Sequence, residues 1–165
     1  YGPRQALSNP YTGVLAIFAA RYLNGRPPLI FEDGAQQRDF VHVGDVTRAC
    51  RLALEGPARD VALNIGSGQP RTVLAVAEAV GAALGLDHIE PAITGEYRMG
   101  DIRHCFGDIG AARRLLDFQP QTDFTAGIQE LATWLHDQQA EDHSEAAHGE
   151  LRRHGLKIAR QATAA

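Results

Sequence analysis

The chain has little with which to build a metal site or a disulfide framework. It carries only two cysteines, Cys50 and Cys105, among 165 residues. Two cysteines cannot supply a structural zinc site or a set of cross-links. The seven histidines are scattered, and those of the polar C-terminal region show no metal-ligand spacing. The sequence therefore predicts no metal site, and its cysteine usage indicates a reducing, cytoplasmic setting.

Long apolar runs and an excess of positive charge are also missing. No segment approaches the roughly 18 consecutive apolar residues that a membrane-spanning helix needs. The formal net charge is −4 at pH 7, whereas a general nucleic-acid binder presents a basic surface. With 44% hydrophobic and 22% charged residues, the composition is that of a globular protein. We therefore expect no membrane and no nucleic acid as a partner.

Complete catalytic motifs are absent as well. The sequence contains no Gly-x-x-x-x-Gly-Lys and no Gly-x-Ser-x-Gly, and its single lysine, Lys157, leaves no Tyr-x-x-x-Lys pair. Gly66-Ser67-Gly68 begins like a dinucleotide-binding loop, but Arg71 stands where the third glycine is required. We interpret it as a strand-to-helix turn. We assign no catalytic residue to this chain and, because it starts at Tyr1, expect it to be a piece of a longer protein.

Hydrophobic periodicity predicts a mixed α/β chain. Helical spacing with capping residues at the ends alternates with short extended runs. The predicted helices cover 14–23, 45–55, 73–84, 111–116, 124–135 and 145–154. The predicted extended segments cover 29–31, 38–43, 61–65 and 89–94, and 97–105 is predicted to be a polar surface loop. These strands are too few and too short for an independent doubly wound sheet.

Two arginine-centred clusters carry the most chemistry. One is Arg-Asp-Phe-Val-His-Val at 38–43, and the other is Arg-Met-Gly-Asp-Ile-Arg-His-Cys at 98–105. An arginine at the start of a buried strand is costly unless its guanidinium meets a carboxylate or a phosphate. A glycine-containing loop with two arginines can wrap a diphosphate and a sugar. Local salt bridges, between Arg38 and Asp39 or between Arg103 and Asp101, would explain the same clusters.

Four motifs in order give the chain a family resemblance. They are Tyr-Gly-Pro-Arg-Gln at 1–5, Arg-Asp-Phe-Val-His-Val-x-Asp at 38–45, Leu-Asn-Ile-Gly-Ser-Gly at 63–68 and Arg-x-Gly-Asp at 98–101. Together they resemble the C-terminal half of an extended short-chain dehydrogenase/reductase. The nearest group is the NAD-dependent epimerase/dehydratase family, which acts on nucleotide-sugars. Family members often have proline where this chain has Met99, which loosens the loop but keeps its arginine and aspartate.

The resemblance implies that substrate binding and catalysis belong to different halves of the parent protein. The resemblance extends from Tyr1 to about Leu135, and residues 1–137 are expected to form the substrate-binding part, a small mixed α/β domain. Residues 138–165 are expected to form a polar, partly helical tail. The family's N-terminal Rossmann half, missing here, holds most of the NAD and carries the catalytic Ser/Thr, Tyr and Lys. That half is therefore the expected partner of this chain, and the parent protein is expected to form a homodimer through it.

The resemblance also assigns roles to residues that hold a nucleotide diphosphate. Arg38 and Arg98 are expected to grip the diphosphate, and Asp101 to bond a ribose hydroxyl. The segment of Tyr11, Thr12 and Gly13 falls where the family touches the nucleotide or its phosphates. The expected lining of the nucleobase pocket is Leu29, Ile30 and Phe31.

Three further residues complete the site that the resemblance implies. Phe40 is placed near the ribose, and Asn64 is expected to tie a strand end to the site. Cys105 falls at a position facing the sugar. Because cysteine is small, it leaves room there for a bulkier or differently oriented hexose.

The implied function is that of a nucleotide-sugar 4-epimerase of the UDP-glucose or dTDP-rhamnose type. Such an enzyme oxidises C4 of the sugar transiently with NAD and returns the hydride to the other face. A 4,6-dehydratase or reductase of the same family is the first alternative. A non-catalytic nucleotide-binding fragment is the second. The chain alone is expected to be inactive, because it supplies only positioning and remote binding energy.

Overall fold

Helices and short strands are interspersed along the chain. The structure, a computed structural model, describes residues 1–7 and 13–159. The helices are α1 (Val14–Leu23), α2 (Val43–Glu55), α3 (Val73–Ala83), α4 (Gly110–Leu116), α5 (Phe124–Leu135) and α6 (Ser144–Arg153). The strands are β1 (Leu29–Ile30), β2 (Gln37–Asp39), β3 (Pro70–Thr72), β4 (Ala92–Ile93), β5 (Glu96–Arg98), β6 (His104–Cys105) and β7 (Lys157–Ala159). No helix within these ranges is long and apolar enough to span a membrane.

The strands pair into small sheets. β2 lies at the centre of the largest, with β3 antiparallel on one side and β6 parallel on the other. β1 pairs in parallel with β4, and β5 pairs antiparallel with β7. This confirms the mixed α/β architecture predicted from the sequence. Each short strand therefore serves to bring distant segments of the chain side by side.

The main core lies where α1, α3 and α5 meet. Their buried side chains recur at helical spacing, so each helix turns one apolar face inward. Tyr22 is the largest side chain there, and its hydroxyl donates to the carbonyl of Ala77 at 3.1 Å. The cluster consists of Leu15, Ala19, Tyr22, Val76, Val80, Ile128, Leu131 and Leu135. This core holds α1 and α5 against α3, which packs on β3 of the sheet that contains β2.

The bounds of these three helices confirm the sequence prediction because their ends have local causes. Gly25, with a φ of 67°, follows the last turn of α1. The hydroxyl of Thr72 accepts from the backbone N–H of Ala75 at 3.1 Å and starts α3. The carboxylate of Asp123 accepts from the N–H of Ala126 at 3.2 Å and starts α5. Capping side chains of this kind are readable from sequence alone.

The predicted strand over 38–43 is only half right. β2 ends at Asp39, and Val43 already belongs to α2. The imidazole Nδ1 of His42 accepts from the N–H of Gly44 at 3.3 Å and caps the helix. The alternation of apolar and polar residues thus continues beyond the end of the paired strand. α2 begins two residues before the predicted start at Asp45.

The predicted strand over 61–65 is wrong. These residues are extended but pair with no strand in the described part of the chain. Val61 is 53% exposed, while Leu63 and Ile65 pack on a cluster centred on Ala49 and Phe118. The apolar alternation therefore reflects side-chain packing on α2 and α4, without a neighbouring strand.

Residues 138–159, which we call the C-terminal segment, fold back onto the body of the chain. The side-chain amide of Asn24 donates to the carbonyl of Ala140 at 2.7 Å. β7 pairs with β5, so the predicted loop at 97–105 is anchored in strands at both ends. The helix predicted over 145–154 is present as α6, one residue earlier. The division of the chain after residue 137 remains a prediction.

Candidate functional site

A cleft of about 560 Å³ lies between α1, the β1 turn, β2 and the end of β5. It gathers residues that are far apart in sequence. The predicted site residues that line it are Gly13, Leu29, Ile30, Phe31, Arg38, Phe40, Arg98 and Asp101. Tyr11 and Thr12 lie outside the described residues. The fold thus brings most of the predicted set to one surface.

Arg38 and Arg98 converge on one carboxylate in this cleft. Nη2 of Arg38 lies 3.0 Å from Oδ1 of Asp101, and Nη2 of Arg98 lies 3.7 Å from its Oδ2. The two cations share this one anion, because Asp39, the other carboxylate in the cleft lining, accepts hydrogen bonds from the loop at 66–68. All three side chains are partly exposed, at 26%, 47% and 24%. A polyanion entering the cleft would meet two guanidiniums that Asp101 neutralises only in part.

The Arg38 side chain is held in place from several directions. It projects from β2, and its Nη1 donates to the carbonyls of Gln37 at 2.8 Å and Arg103 at 3.1 Å. Oδ1 of Asp101 also accepts from the N–H of Ile102 at 3.0 Å. The guanidinium is therefore oriented before any ligand arrives, which lowers the entropy cost of binding.

The local salt bridges considered from sequence are replaced by longer-range ones. Arg103 forms a two-pronged pair with Asp33, at 2.7 and 2.8 Å, and also reaches Glu32 at 2.6 Å. These hydrogen bonds from Arg103, together with one from the N–H of Ala35, hold the pKa of Asp33 well below its usual range. The loop after Arg98 is thereby pinned to the turn after β1.

Gln36 is a cleft residue that the sequence prediction missed. Its Nε2 donates to the carbonyl of Phe31 at 2.7 Å. Its Oε1 is buried and accepts no hydrogen bond from the residues that the structure describes. Gln36 and Arg38 are two residues apart in an extended segment, so they share a face. That alternation was the signal that could have identified Gln36.

Tyr1 lines the cleft as well, in a packing role. Its ring contacts those of His42 and Phe124 at centroid distances of 5.3 and 5.9 Å. Burial raises the pKa of its phenol to about 12, and the nearby carboxylates of Asp123, Asp45 and Glu130 add to this against the opposing charge of Arg71. The phenol therefore stays protonated at neutral pH.

The glycine-containing loop at 66–68 is already occupied by a side chain of the protein. Asp39 accepts from the N–H of Ser67 at 2.8 Å and from that of Gly68 at 3.4 Å. The loop leads into β3, so the predicted strand-to-helix turn needs correction. Because a carboxylate of the chain holds these N–H groups, they are not free to cradle the phosphates of a dinucleotide.

Gly66→Ala is expected to destabilise the fold by about 1–3 kcal/mol, the usual effect of overpacking. A Cβ at position 66 would overlap Oδ2 of Asp39, so the carboxylate would have to release the loop. The matched control is Gly149→Ala, whose Cβ would meet no atom within 4 Å. Urea denaturation should show lower stability for the first variant and unchanged or higher stability for the second. Equal midpoints for the two variants would contradict the packing around Asp39.

Metal chemistry finds no support in the described residues. They contain no group of three or more His, Cys, Asp or Glu side chains placed to hold an ion.

Comparison with known proteins identifies the family. The model of the NAD-dependent epimerase/dehydratase family matches residues 1–66. A dTDP-L-rhamnose 4-epimerase from Burkholderia thailandensis is 37% identical over 136 residues, which are 82% of this chain and 37% of that protein. The chain belongs to the NAD-dependent epimerase/dehydratase family. A putative UDP-glucose 4-epimerase from Methanocaldococcus jannaschii is 33% identical over 135 residues, 82% of this chain and 42% of that protein.

Solved structures of epimerases have the same fold. A UDP-glucose 4-epimerase from Thermotoga maritima, determined with UDP-glucose, superposes with a TM-score of 0.73 at 36% identity. The match covers 82% of this chain and 43% of that one. A UDP-N-acetylglucosamine 4-epimerase from Methanobrevibacter ruminantium gives 0.77 at 32% identity, over 84% of this chain and 44% of that one. This member of the epimerase/dehydratase family therefore spans about two fifths of the length of the relatives it matches.

Two residues to which the family resemblance assigned roles do not line the cleft. Asn64 is exposed and lies beside Gly107. Cys105 lies on β6 directly opposite Arg38 in the ladder, and it is exposed. Neither residue lines the cleft of this epimerase/dehydratase family member, and their roles remain predictions.

Proposed function

We propose that this chain is the substrate-binding part of a nucleotide-sugar 4-epimerase, of the UDP-glucose or dTDP-rhamnose type. The observation that carries the proposal is the convergence of Arg38 and Arg98 on Asp101 within one cleft. The two guanidiniums come from different strands, so a group bound between them is fixed from two sides. The matched relatives that are 4-epimerases of dTDP-L-rhamnose and UDP-glucose support the same assignment.

The diphosphate of the substrate is the ligand that best suits the two arginines. A guanidinium presents a fork of N–H donors that pairs with two phosphate oxygens at once. When the diphosphate takes over these donors, Asp101 is left free to accept a ribose hydroxyl. The anion thus replaces the carboxylate as the main partner of Arg38 and Arg98.

The nucleobase lies on the apolar side of the cleft. Ile30 is fully buried at its base, and Leu29 and Phe31 flank it. The unpartnered Oε1 of Gln36 is an acceptor for the imide N–H that uracil and thymine share. A buried acceptor without a partner is costly, and a ligand donor removes that cost. This accounts for a site that accepts either pyrimidine.

The reaction proposed for the parent protein is inversion at C4 of the sugar. The redox chemistry belongs to NAD, which we assign mainly to the N-terminal Rossmann half, because Asp39 occupies the loop at 66–68. This chain holds the diphosphate while leaving the sugar free to present either face. The same proposal makes the N-terminal half its partner, with a homodimer formed through that half in the cytoplasm.

A 4,6-dehydratase is the second candidate, favoured by one relative. A dTDP-glucose 4,6-dehydratase from Actinoplanes sp. is 30% identical over 134 residues, 81% of this chain and 40% of that protein. Both reactions use the same nucleotide grip, so the cleft serves either. Product analysis on the parent protein separates them, because a dehydratase releases a 4-keto-6-deoxy sugar and an epimerase releases the 4-epimer.

Titration of the 165-residue chain tests the binding role. We expect UDP and dTDP to bind saturably, since the described residues that we assign to the diphosphate and the base line one cleft of this chain. NAD is expected to bind far more weakly, and UDP-glucose should not turn over. Isothermal calorimetry measures the binding of UDP, dTDP and NAD, and chromatography of the sugar products measures the turnover of UDP-glucose. Failure of both UDP and dTDP to bind would refute the substrate role, and epimerisation by this chain alone would refute its partial nature.

A further inference from the structure

The C-terminal segment places a side chain in the cleft. His148, on α6, lines the cleft together with Arg38 and Arg98. Its imidazole ring lies 5.2 Å from the ring of Phe31, centroid to centroid, with an angle of 41° between the planes. Aromatic rings at this separation are in direct contact. A residue from the polar tail therefore extends the wall formed by a predicted nucleobase residue.

The face of α6 that carries His148 is turned inward. Ser144 and Ala147 are buried, and His148 and Leu151 are half-buried. These four positions recur at i, i+3, i+4 and i+7, which is one face of a helix. His148 thus points at the body of the chain because the whole helix packs that way.

The start of α6 is fixed by a buried ion pair. Nη1 of Arg21 lies 3.2 Å from Oδ2 of Asp142, and the two side chains are 5% and 4% exposed. The same Nη1 donates to the hydroxyl of Ser144 at 3.1 Å. Burial alone would raise the pKa of Asp142, but hydrogen bonds from Ser144 and the charge of Arg21 outweigh it and lower that pKa. The carboxylate therefore stays ionised at neutral pH.

The end of α6 is fixed on the other side of the cleft. Nη2 of Arg152 donates to Oε1 of Glu96 at 2.8 Å. The N–H of Met99, next to Arg98, donates to the carbonyl of Leu156 at 2.9 Å. His148 lies between these two anchors, so its position over the cleft is set by the fold of the segment.

We propose that His148 is a nucleobase-binding residue, which forms with Phe31 one aromatic wall for the base of the substrate. This inference rests on the proposed function and names a residue from outside the substrate-binding part defined by the family motifs. The rings touch each other, so the base lies across their joint surface and not in a slot between them. An imidazole offers a π-face to any base, and hence to both uracil and thymine.

The test compares His148→Ala and His148→Phe with His154→Ala, an exposed histidine of the same segment. UDP and inorganic pyrophosphate are titrated into each 165-residue variant. His148→Ala is expected to weaken UDP binding roughly 5- to 150-fold, the usual loss for an aromatic side chain that stacks on a base. Pyrophosphate binding should stay within about twofold, because pyrophosphate has no base to stack. His148→Phe should retain most of the UDP affinity, and His154→Ala should match the unsubstituted chain.

Each other outcome is informative. UDP affinity unchanged in His148→Ala would overturn the inference while leaving the proposed function intact. An equal loss of affinity for UDP and pyrophosphate would mean that His148 acts on the phosphates, and would also overturn the inference. A loss of UDP affinity in His148→Phe as large as that in His148→Ala would overturn it as well. If the unsubstituted chain binds no UDP, the proposed function fails and the inference fails with it.

Discussion

Replacing Arg98 with alanine is expected to weaken the binding of UDP by about 2–5 kcal/mol, the loss typical of a charged hydrogen-bond partner removed from a binding site. The reason lies in the charge balance of the cleft. Without Arg98, the single remaining guanidinium of Arg38 is already paired with Asp101 at 3.0 Å. The diphosphate would then have to displace a carboxylate from the one cation that, among the described residues, still pairs with it. Isothermal calorimetry with UDP measures the loss directly.

The choice of ligands and variants makes this result specific. Inorganic pyrophosphate should lose affinity in parallel with UDP, because Arg98 is assigned to the phosphates. The UDP affinity of Arg98→Lys should lie between those of the unsubstituted chain and Arg98→Ala, since lysine keeps the positive charge but loses the forked pair of N–H donors. The control is Arg51→Ala, which removes an arginine that is 60% exposed on α2 and pairs with Glu55. UDP affinity unchanged in Arg98→Ala would refute the diphosphate grip.

The parts of the fold that the sequence predicted are those with local causes. α1, α3 and α5 were predictable because each has an apolar face and a local end signal, which is Gly25 after α1 and a capping side chain, Thr72 or Asp123, before the other two. The strand predicted over 61–65 was wrong because pairing needs a neighbouring strand, and no local pattern reports one. Where strands did pair, as β5 does with β7, the partner is distant in sequence.

The site shows the same distinction between local and long-range information. The family motifs identified Arg38, Arg98 and Asp101, but their spacing favoured Arg38–Asp39 as strongly as any other pair. The pair that forms, Arg38 with Asp101, spans 63 residues. The role of His148 could not be predicted from the sequence either, because its aromatic partner Phe31 is more than a hundred residues away along the chain. Residue type indicates which groups can bind an anion or a base, whereas only the fold shows which groups meet.

Asp45 is expected to contribute most to stability among the single polar side chains of the family motifs. Its side chain is only 4% exposed, lies 2.5 Å from Nη2 of Arg48, and accepts from the N–H groups of Gln121 and Thr122 at 2.9 and 3.1 Å. It therefore ties the start of α2 to the turn that precedes α5. Asp45→Ala removes all three contacts, so two backbone donors lose their acceptor and Arg48 loses its carboxylate, although its Nη2 still donates to the carbonyl of Gln119. We expect a loss of about 3–5 kcal/mol in the free energy of unfolding.

The pH dependence of this loss has a definite sign. Burial alone would raise the pKa of Asp45, but hydrogen bonds from Gln121, Arg48 and Thr122 outweigh it and lower that pKa. A carboxyl with a lowered pKa in the folded state stabilises the fold fully above its unfolded value of roughly 4. The contribution is lost as the pH falls through the folded value. The stability difference between the unsubstituted chain and Asp45→Asn should therefore be constant at neutral pH and shrink below about pH 4.

Denaturant unfolding at several pH values measures this difference in the free energy of unfolding, and thermal unfolding at neutral pH gives the melting temperatures. Glu55→Gln is the matched control. Glu55 is 61% exposed and, among the described residues, forms an ion pair only with Arg51 across one helical turn, so its replacement should cost at most about 0.5 kcal/mol. At neutral pH, Asp45→Ala should lower the melting temperature by roughly 6–20 °C, and the control by about 2 °C or less. Equal melting temperatures for the two variants would show that the turn before α5 does not depend on Asp45. Because that turn leads to Phe124, which contacts Phe40 at the cleft, UDP affinity should fall along with stability in Asp45→Ala.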